Sequence, residues 1–185
     1  DRATRALDLL SADVERFQHL VQDLLEISRF DVGAITLHLQ PVSVTEMVRQ
    51  VLRSESGDGI PVTYESHMDE VVVLVDKTRF FRVLGNLLEN AVFFARSRVV
   101  VEARWDDDAV TLTITDDGAG FPPELLARLG EPYLTTRARN GDAEESGAGG
   151  LGLGIFIAKT LLGRAGAQLS FENVSPAGAR VTIAW

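Results

Sequence analysis

The sequence contains no cysteine, which excludes disulfide bonds and thiolate metal sites among its 185 residues and favours a reducing compartment. Long apolar runs are also absent: no stretch of about 18 uninterrupted apolar residues occurs, so no membrane-spanning helix is predicted. Basic residues are outnumbered, with 18 Lys and Arg against 27 Asp and Glu and a net charge of −9. Because nucleic-acid binding needs a basic surface, this balance argues against a nucleic-acid partner.

Apolar residues are present in sufficient number to build a core. The chain is 45% hydrophobic and 24% charged, which is typical of a globular domain, and its length allows one ordinary domain with an appendage. It begins at Asp1 without a recognisable signal peptide, and we expect it to be a fragment of a longer protein.

The first 31 residues carry the longest periodic pattern in the sequence. Seam positions recur at alternating steps of three and four, which predicts a coiled-coil helix; they are Leu7, Leu10, Val14, Phe17, Val21, Leu24 and Ser28. Three more residues widen the stripe and favour a four-helix bundle: Leu20, Leu25 and Ile27. Such a helix is about 46 Å long. We predict a dimerising helical segment over 1–32, the alternative being a helix packed on its own domain.

Residues 33–185 change to mixed strand and helix patterns, which predict a second domain. Strand-like stretches include "ITLHLQP", "PVTYES" and "EVVVLV", and "RVVVEARW" with "AVTLTIT" predicts a hairpin. Helices are predicted after Ser43, from Asp76 to about Arg96, and from Pro122 to Leu129. Because strands and helices mix without strict βαβ alternation, the predicted fold class is α+β, a two-layer α/β sandwich with helices on one face of the sheet.

Two polar patches interrupt apolar elements of this second domain. Asn86 and Asn90 lie four residues apart and share a helix face, where two amides offer oxygen ligands to a cation such as Mg²⁺. A Val- and Thr-rich strand ends in "DDGAG", in which Asp116 is a candidate acceptor for an amine while Gly118 and Gly120 leave room for a flat ring. Taken singly, these patches are also explained by solvated amides and an ordinary Asp-Gly turn.

Two further patches lie in and beside a long polar loop, Gly130 to Gly150. Thr135, Thr136 and Arg137 offer hydrogen-bond donors to phosphate oxygens, and a loop of this length is typical of a lid. The run "SGAGGLGLG" then leads into an apolar helix, whose N-terminus presents backbone N–H groups and a positive dipole end to an anion. The alternative interpretations are an ordinary surface loop for the first patch and a flexible linker for the second.

The order of the four patches resembles the GHKL ATP-binding fold, and most closely the catalytic domain of bacterial sensor histidine kinases. "NLLENA" is similar to the N box, "DDGAG" to the G1 box, "GEPYLTT" to a divergent F box and "GGLGLGIFIAK" to the G2 box. The sequences of the F and G2 boxes resemble those of the RegB/PrrB redox-responsive branch of these kinases. "LVQDLLEISRFDVGAITL" resembles the second helix of the dimerisation hairpin and its junction to the catalytic domain.

The resemblance implies an ATP site with Mg²⁺ on Asn90. It implies that Asn86 supports the phosphates, that Asp116 binds the adenine amine, and that Gly118 and Gly120 line the ring. The remaining implied nucleotide-binding residues lie in the F box, the lid and the G2 box: Tyr133, Thr135, Thr136, Arg137, Gly149, Gly150, Leu151, Gly152 and Leu153. The implied reaction is in-line transfer of the γ-phosphoryl group to an imidazole, achieved mainly by positioning.

Three positions depart from the family pattern. Phe93 stands where a basic residue is usual, and Arg137 or Arg96 is a candidate replacement. Ala148 replaces the first glycine of the G2 pattern, and Tyr133 alone remains of the aromatic part of the F box.

The phosphoacceptor histidine of the family is missing. His19, His38 and His67 all lack the acidic residue that follows it, so we expect the acceptor on an upstream helix outside this chain. The implied partners are ATP, that helix, a response regulator, and a second copy bound through helix 1–31. We expect a cytoplasmic domain whose full-length protein is anchored in the inner membrane.

Two alternatives stay open at this point. A GHKL-type ATPase clamp would carry a water-activating Glu four residues before the metal-binding Asn, where this chain has Asn86. A degenerate, non-catalytic nucleotide-binding module or dimerising scaffold would explain the departures at Phe93 and Ala148.

Overall fold

The computed structural model describes residues 36–54, 59–67, 70–105, 109–134 and 152–185, together with Leu10, Val14 and Val21. These three single residues have helical backbone and exposed side chains, but the rest of the predicted helix over 1–32 lies outside the described residues. The helix and its boundary with the second domain therefore stay predictions. In the part of the chain that the structure describes, no helix has the length and apolar character that crossing a membrane requires.

From residue 36 onward, the described ranges contain seven strands and four helices. In chain order they are β1 (Leu39–Ser43), α1 (Val44–Ser54), β2 (Val62–Ser66), β3 (Val72–Asp76), α2 (Lys77–Phe94), β4 (Val99–Trp105), β5 (Val110–Asp116), α3 (Pro123–Leu126), α4 (Gly154–Arg164), β6 (Gln168–Asn173) and β7 (Ala179–Ala184). The predicted elements are present, although α2 ends before Arg96 and the Pro-led helix has only four residues.

The strands form one large and one small sheet. The large sheet has the order β2-β4-β5-β7-β6, in which β2 and β4 are parallel and the other pairs antiparallel. β1 pairs antiparallel with β3 in a separate two-stranded sheet, so "ITLHLQP" contributes its second half to a strand. The β4–β5 hairpin is confirmed, with Val99 opposite Asp116.

The large sheet is buried on one face only. Along β4 and β5 every second side chain is buried, as in Val101 and Ile114. Thr113, which precedes Ile114 on β5, stays partly exposed. The helices α1, α2 and α4 supply the other half of the core, with side chains such as Val48, Leu84 and Ile157 almost completely buried. This arrangement confirms a mixed α/β fold with helices against one sheet face.

Helix α2 is the element that positions the site. Asp76 caps its N-terminus, because the Asp76 Oδ1 atom accepts a hydrogen bond from the Arg79 N–H at 3.2 Å. Its apolar face is buried against the sheet and α4 through Phe80, Val83, Leu84, Leu87, Leu88 and Ala91. The opposite face, which carries Glu89, is exposed. The buried stripe therefore fixes the rotation of the helix, and with it the direction in which Asn86 and Asn90 lie.

Gly85, inside α2, provides a test of this helix. Apart from its chain neighbours and the nearby backbone of α2 itself, no heavy atom of the described residues lies within 4 Å of the position that a Cβ would occupy. Since Ala has the higher helix propensity, Gly85→Ala is expected to raise the free energy of unfolding by about 0.5–1 kcal/mol. Gly166 also has open space around it but has a φ of +81°, so Gly166→Ala is expected to lower stability. Urea unfolding of both variants measures the two changes in the free energy of unfolding, which should have opposite signs. Changes of the same sign would contradict the assignment of Gly85 to α2.

Candidate functional site

Asp116, at the end of β5, is the centre of the candidate site. Its side chain is 7% exposed, and it is the one buried polar or charged residue among those that the structure describes. The Asp116 Oδ1 atom accepts hydrogen bonds from the backbone N–H groups of Gly118 at 2.8 Å and Ala179 at 3.3 Å. Within the described ranges both bonds go to Oδ1, so the carboxyl group is held in one orientation and Oδ2 is left to accept a hydrogen bond from a ligand.

Two glycines allow the backbone to pack tightly around Asp116. A Cβ on Gly118 would overlap the carbonyl oxygen of Phe94, the last residue of α2. A Cβ on Gly178 would overlap the carbonyl oxygen of Asp116 itself, and Gly178 has a φ of +131° that side chains rarely adopt. Gly118 was predicted from its motif, whereas Gly178 was not, because its role depends on β7 lying beside β5.

Asn173 fixes the loop that follows the "DDGAG" motif. Its amide pairs with the backbone of Phe121 in both directions: Oδ1 accepts from the Phe121 N–H at 2.7 Å, and Nδ2 donates to the Phe121 carbonyl at 2.9 Å. Gly120 has a φ of +80°, and a Cβ there would approach Asn173 Oδ1 to 2.7 Å. Asn173 was missed from the sequence, since an Asn at a strand end is a common surface residue.

Asn86, Asn90 and Phe94 follow one face of α2 at steps of four residues. At the Asn86 end, a Cβ on Gly154 would lie 3.6 Å from Asn86 Nδ2, so the start of α4 packs directly on this amide. At the Phe94 end the helix meets Gly118. The two ends are about 12 Å apart along the helix axis. Helix α2 therefore joins the surroundings of Asp116 to the N-terminus of α4, and Asn90 lies between them.

The N-terminus of α4 carries the last residues of the G2 box. Leu153 occupies the N-cap position, and its apolar side chain, 1% exposed, offers no acceptor to the first N–H groups of the helix. Gly152 has a φ of +69°, and a Cβ there would come within 2.5 Å of the Leu134 carbonyl oxygen. The residues on either side of segment 135–151 are therefore in contact. Any role of Leu153 toward a ligand belongs to its backbone, because its side chain is in the core.

The predicted lid residues are only partly within the described ranges. Tyr133 is 62% exposed and has a φ of 63°, an uncommon conformation for a residue with a large side chain. Six of the predicted site residues lie outside the described residues: Thr135, Thr136, Arg137, Gly149, Gly150 and Leu151. Ala148 and His19 also lie outside them, whereas His38 and His67 are described and exposed.

Asp117 connects the end of β5 to the loop after α2. Its Oδ1 atom accepts from the backbone N–H groups of Arg96 at 2.8 Å, Ser97 at 3.0 Å and Arg98 at 3.3 Å, and its Oδ2 atom accepts from the Ser97 hydroxyl at 2.5 Å. The Ser97 hydroxyl and these N–H groups hold the pKa of the Asp117 carboxyl well below its usual value. This clamp fixes the C-terminus of α2, and therefore Asn90, relative to Asp116.

The lowered pKa of Asp117 predicts a specific pH dependence of stability. A carboxyl whose pKa is depressed by folding stabilises the folded state above its unfolded pKa, about 3.9, and loses this contribution as the pH falls toward the folded value. The melting temperature of the native chain is expected to fall more steeply between pH 5 and pH 3 than that of Asp117→Asn. At pH 7 the native chain should be more stable than Asp117→Asn, and this difference should shrink as the pH falls toward 3. Parallel pH profiles of the melting temperature for Asp117→Asn and the native chain would contradict the stabilising role of the Asp117 carboxyl.

Phe93 stands at the rim of the site and is 45% exposed. It packs edge-on against Phe94, with ring centroids 4.9 Å apart. The position one turn beyond Asn90 thus carries an aromatic surface in place of the expected cation. Arg96, one of the two candidate replacements, is described, and its backbone is held by Asp117.

Comparison with known proteins identifies the class. The family model described as "Histidine kinase-, DNA gyrase B-, and HSP90-like ATPase" matches residues 75–185, and the chain belongs to this family. Within this family, the chain is similar to sensor histidine kinases. It is 35% identical over 149 residues to sensor histidine kinase RegB of Cereibacter sphaeroides, a match that covers 77% of this chain and 32% of RegB. It is 34% identical over 180 residues to sensor protein CseC of Streptomyces coelicolor, covering 97% of this chain and 32% of CseC.

Solved structures share this fold. Full-length ShkA in complex with AMPPNP superposes with a TM-score of 0.80 at 26% identity, covering all of this chain and 38% of ShkA. The histidine kinase AdeS of Acinetobacter baumannii has the same fold, with a TM-score of 0.74 at 19% identity over 96% of this chain and 82% of that one. The chain spans about a third of the length of the curated relatives named above.

Proposed function

We propose that the surface along α2 between Asp116 and the start of α4, called the nucleotide groove below, binds Mg-ATP. It positions the γ-phosphoryl group for transfer to a histidine outside this chain, from which the group passes to a response regulator. The observation that carries this proposal is the buried Asp116 carboxyl, oriented by two backbone donors on Oδ1 and open at Oδ2. A buried acceptor of this kind is costly unless a donor satisfies it. The exocyclic amine of adenine is such a donor.

The adenine end of the groove is formed by backbone. Gly118 and Gly120 keep side chains away from the space beside Asp116, as a flat ring requires. Asn173 and Gly178 hold the flanking loop and β7 in place. None of these residues takes part in bond making; they set the position and tilt of the purine.

The phosphate end is formed by Asn86, Asn90 and the start of α4. Amide oxygens are ligands that suit Mg²⁺, so Asn90 fits the proposed metal-binding role, with Asn86 supporting the phosphates. When bound, Mg²⁺ supplies positive charge to the phosphate oxygens. The N-terminus of α4, which begins beside Asn86 and has an apolar N-cap residue, offers backbone N–H groups and a positive dipole end to the same oxygens.

The lid completes the proposed site. Thr135, Thr136 and Arg137 donate to phosphate oxygens in this proposal, and Tyr133 lies at its entry. The backbone of Gly149, Gly150, Leu151, Gly152 and Leu153 wraps the phosphates. The contact between Leu134 and Gly152 supports a lid that begins and ends beside the phosphate end of the groove. Arg96 and Arg137 remain the candidates for the cation missing at Phe93.

The proposed reaction requires little covalent chemistry from this chain. A bond forms between phosphorus and an imidazole nitrogen of the acceptor while the bond to the ADP oxygen breaks, and the chain contributes positioning and charge neutralisation. We further propose that residues 1–32 belong to the dimerisation hairpin, that 33–185 form the catalytic domain, and that the chain dimerises through helix 1–31. The working compartment would be the cytoplasm, with an inner-membrane anchor elsewhere in the full-length protein. The proposal of a response regulator as a partner is supported by the structure of ThkA in complex with the response regulator TrrA, which is related in fold at a TM-score of 0.69.

Calorimetric titration with Mg-ATP, followed by incubation with radiolabelled ATP and a separate hairpin carrying the acceptor histidine, tests the proposal. Saturable binding and label on that histidine are expected. Failure to bind ATP at millimolar concentration would refute the nucleotide site. Binding with steady phosphate release and no labelled histidine would instead support the ATPase clamp, which the exposed position of Glu89 and the presence of Asn86 four residues before Asn90 disfavour.

A further inference from the structure

Three potential metal ligands meet on the open face of the large sheet, away from the nucleotide groove. Glu65 belongs to β2, His67 directly follows β2, and Glu102 belongs to β4. One ligand atom from each of the three side chains lies within 4.8 Å of the other two. Glu102 lies between Val101 and Ala103, whose side chains are in the core, so its own side chain is on the face opposite to the helices.

The strand register places two carboxylates side by side. Glu65 and Glu102 are directly paired across the parallel strands β2 and β4. Like charges in this arrangement destabilise a sheet unless a cation compensates them. His67, two residues after Glu65, shares its face, and the backbone N–H of His67 donates to the Ala103 carbonyl at 3.1 Å, which continues the pairing beyond the strand. The three ligands are therefore carried by hydrogen-bonded backbone.

Among the described residues, the hydrogen bonds that compensate these charges go to Glu102 alone. Arg104 donates from Nη2 to Glu102 Oε1 at 2.6 Å, and His67 Nε2 lies 2.9 Å from the same oxygen. Within the described ranges, both contacts converge on Oε1, and one arginine faces two carboxylates. The side chains of His67 and Arg104 are 55% and 63% exposed, so both can move aside without disturbing the core.

We propose that Glu65, His67 and Glu102 form a binding site for a divalent transition-metal ion of the Zn²⁺ type. An imidazole with carboxylates suits Zn²⁺, Ni²⁺ or Cu²⁺, whereas Mg²⁺ and Ca²⁺ prefer all-oxygen ligand sets. Three protein ligands on a solvent-exposed face leave the remaining coordination position to water. An ion here links the edge strand β2 to β4, and it is independent of the proposed nucleotide site because it needs no ATP and lies on the other sheet face.

Titration of the nucleotide-free chain with ZnCl₂, followed by calorimetry and by the shift in melting temperature, tests this site. We expect saturable binding that raises the melting temperature, since a ligand that binds only the folded state stabilises it. His67→Ala and Glu102→Gln should each weaken Zn²⁺ binding by about tenfold or more. Arg104→Ala should strengthen it by about threefold, because it removes a competing cation.

Matched controls separate this site from other histidines and carboxylates of the chain. His38→Ala, His19→Ala and Glu172→Gln should bind Zn²⁺ with native affinity, and circular dichroism should show that every variant is folded. Absence of saturable binding, or native affinity in both His67→Ala and Glu102→Gln, overturns the proposal. Mg-ATP titration of the same samples is a separate readout, so failure of the zinc site and failure of the nucleotide site are distinguishable.

Discussion

Asp116→Asn is expected to weaken ATP binding by about 10- to 100-fold, the effect of losing a hydrogen bond to a charged group, while leaving the melting temperature nearly unchanged. The substitution keeps the oxygen that accepts from the Gly118 and Ala179 N–H groups. Because those two donors fix the amide orientation, the new NH₂ group takes the place of Oδ2. A donor then faces the adenine amine, which is itself a donor.

The same reasoning predicts a change in base preference. Inosine triphosphate has an acceptor oxygen where ATP has the amine, so Asp116→Asn should lose much of the native preference for ATP over ITP. Calorimetry with both nucleotides measures this ratio, and Glu102→Gln, on the opposite face of the sheet, is the control for a carboxyl-to-amide change outside the groove. An unchanged ATP affinity in Asp116→Asn would contradict the assignment of Asp116 to the purine.

Gly118→Ala is expected to lower the free energy of unfolding by about 3 kcal/mol, at the upper end of overpacking effects. The added methyl group would overlap the Phe94 carbonyl oxygen and would approach Asp116 Oδ1 to 2.9 Å. Both obstacles belong to the framework of the site: one is main chain and the other is held by two N–H donors. Relief requires α2 and β5 to move apart, which also separates Asn90 from Asp116.

A loss of ATP affinity should therefore accompany the loss of stability in Gly118→Ala. Urea unfolding and ATP titration at low temperature, where the variant remains folded, measure the two effects separately. Gly85→Ala, in the middle of α2 and with open space for its methyl group, serves as the comparison. Native ATP affinity and native stability in Gly118→Ala would show that α2 does not abut β5 at this point.

Local signals explain why much of the fold was predictable. Asp76 caps α2 as its position before an apolar stripe predicts, and β4 and β5 form the hairpin that their alternating patterns predict. Asp116 was found because its motif ends a strand that is buried on every second side chain. In each case the determining residues are neighbours in sequence.

Non-local contacts account for what the sequence did not reveal. Gly178 and Asn173 act on Asp116 and Phe121 from positions more than fifty residues away in sequence. The pairing of β1 with β3 crosses all of α1 and β2. In the sequence, Asp117 resembles an ordinary turn residue. Its role depends on the backbone N–H groups of Arg96, Ser97 and Arg98, which donate to its carboxyl group. The roles of Asn90, the lid and the N-terminal helix remain predictions.

The contact between Leu134 and Gly152 has a consequence for how this domain can diverge. Leu134 and Gly152 flank segment 135–151, so the distance that this segment must join is short whatever its length. The entropy of closing such a loop grows only logarithmically, and doubling its length costs about 0.6 kcal/mol. Insertions and deletions between these two anchors are therefore expected to leave the stability of the surrounding framework nearly unchanged.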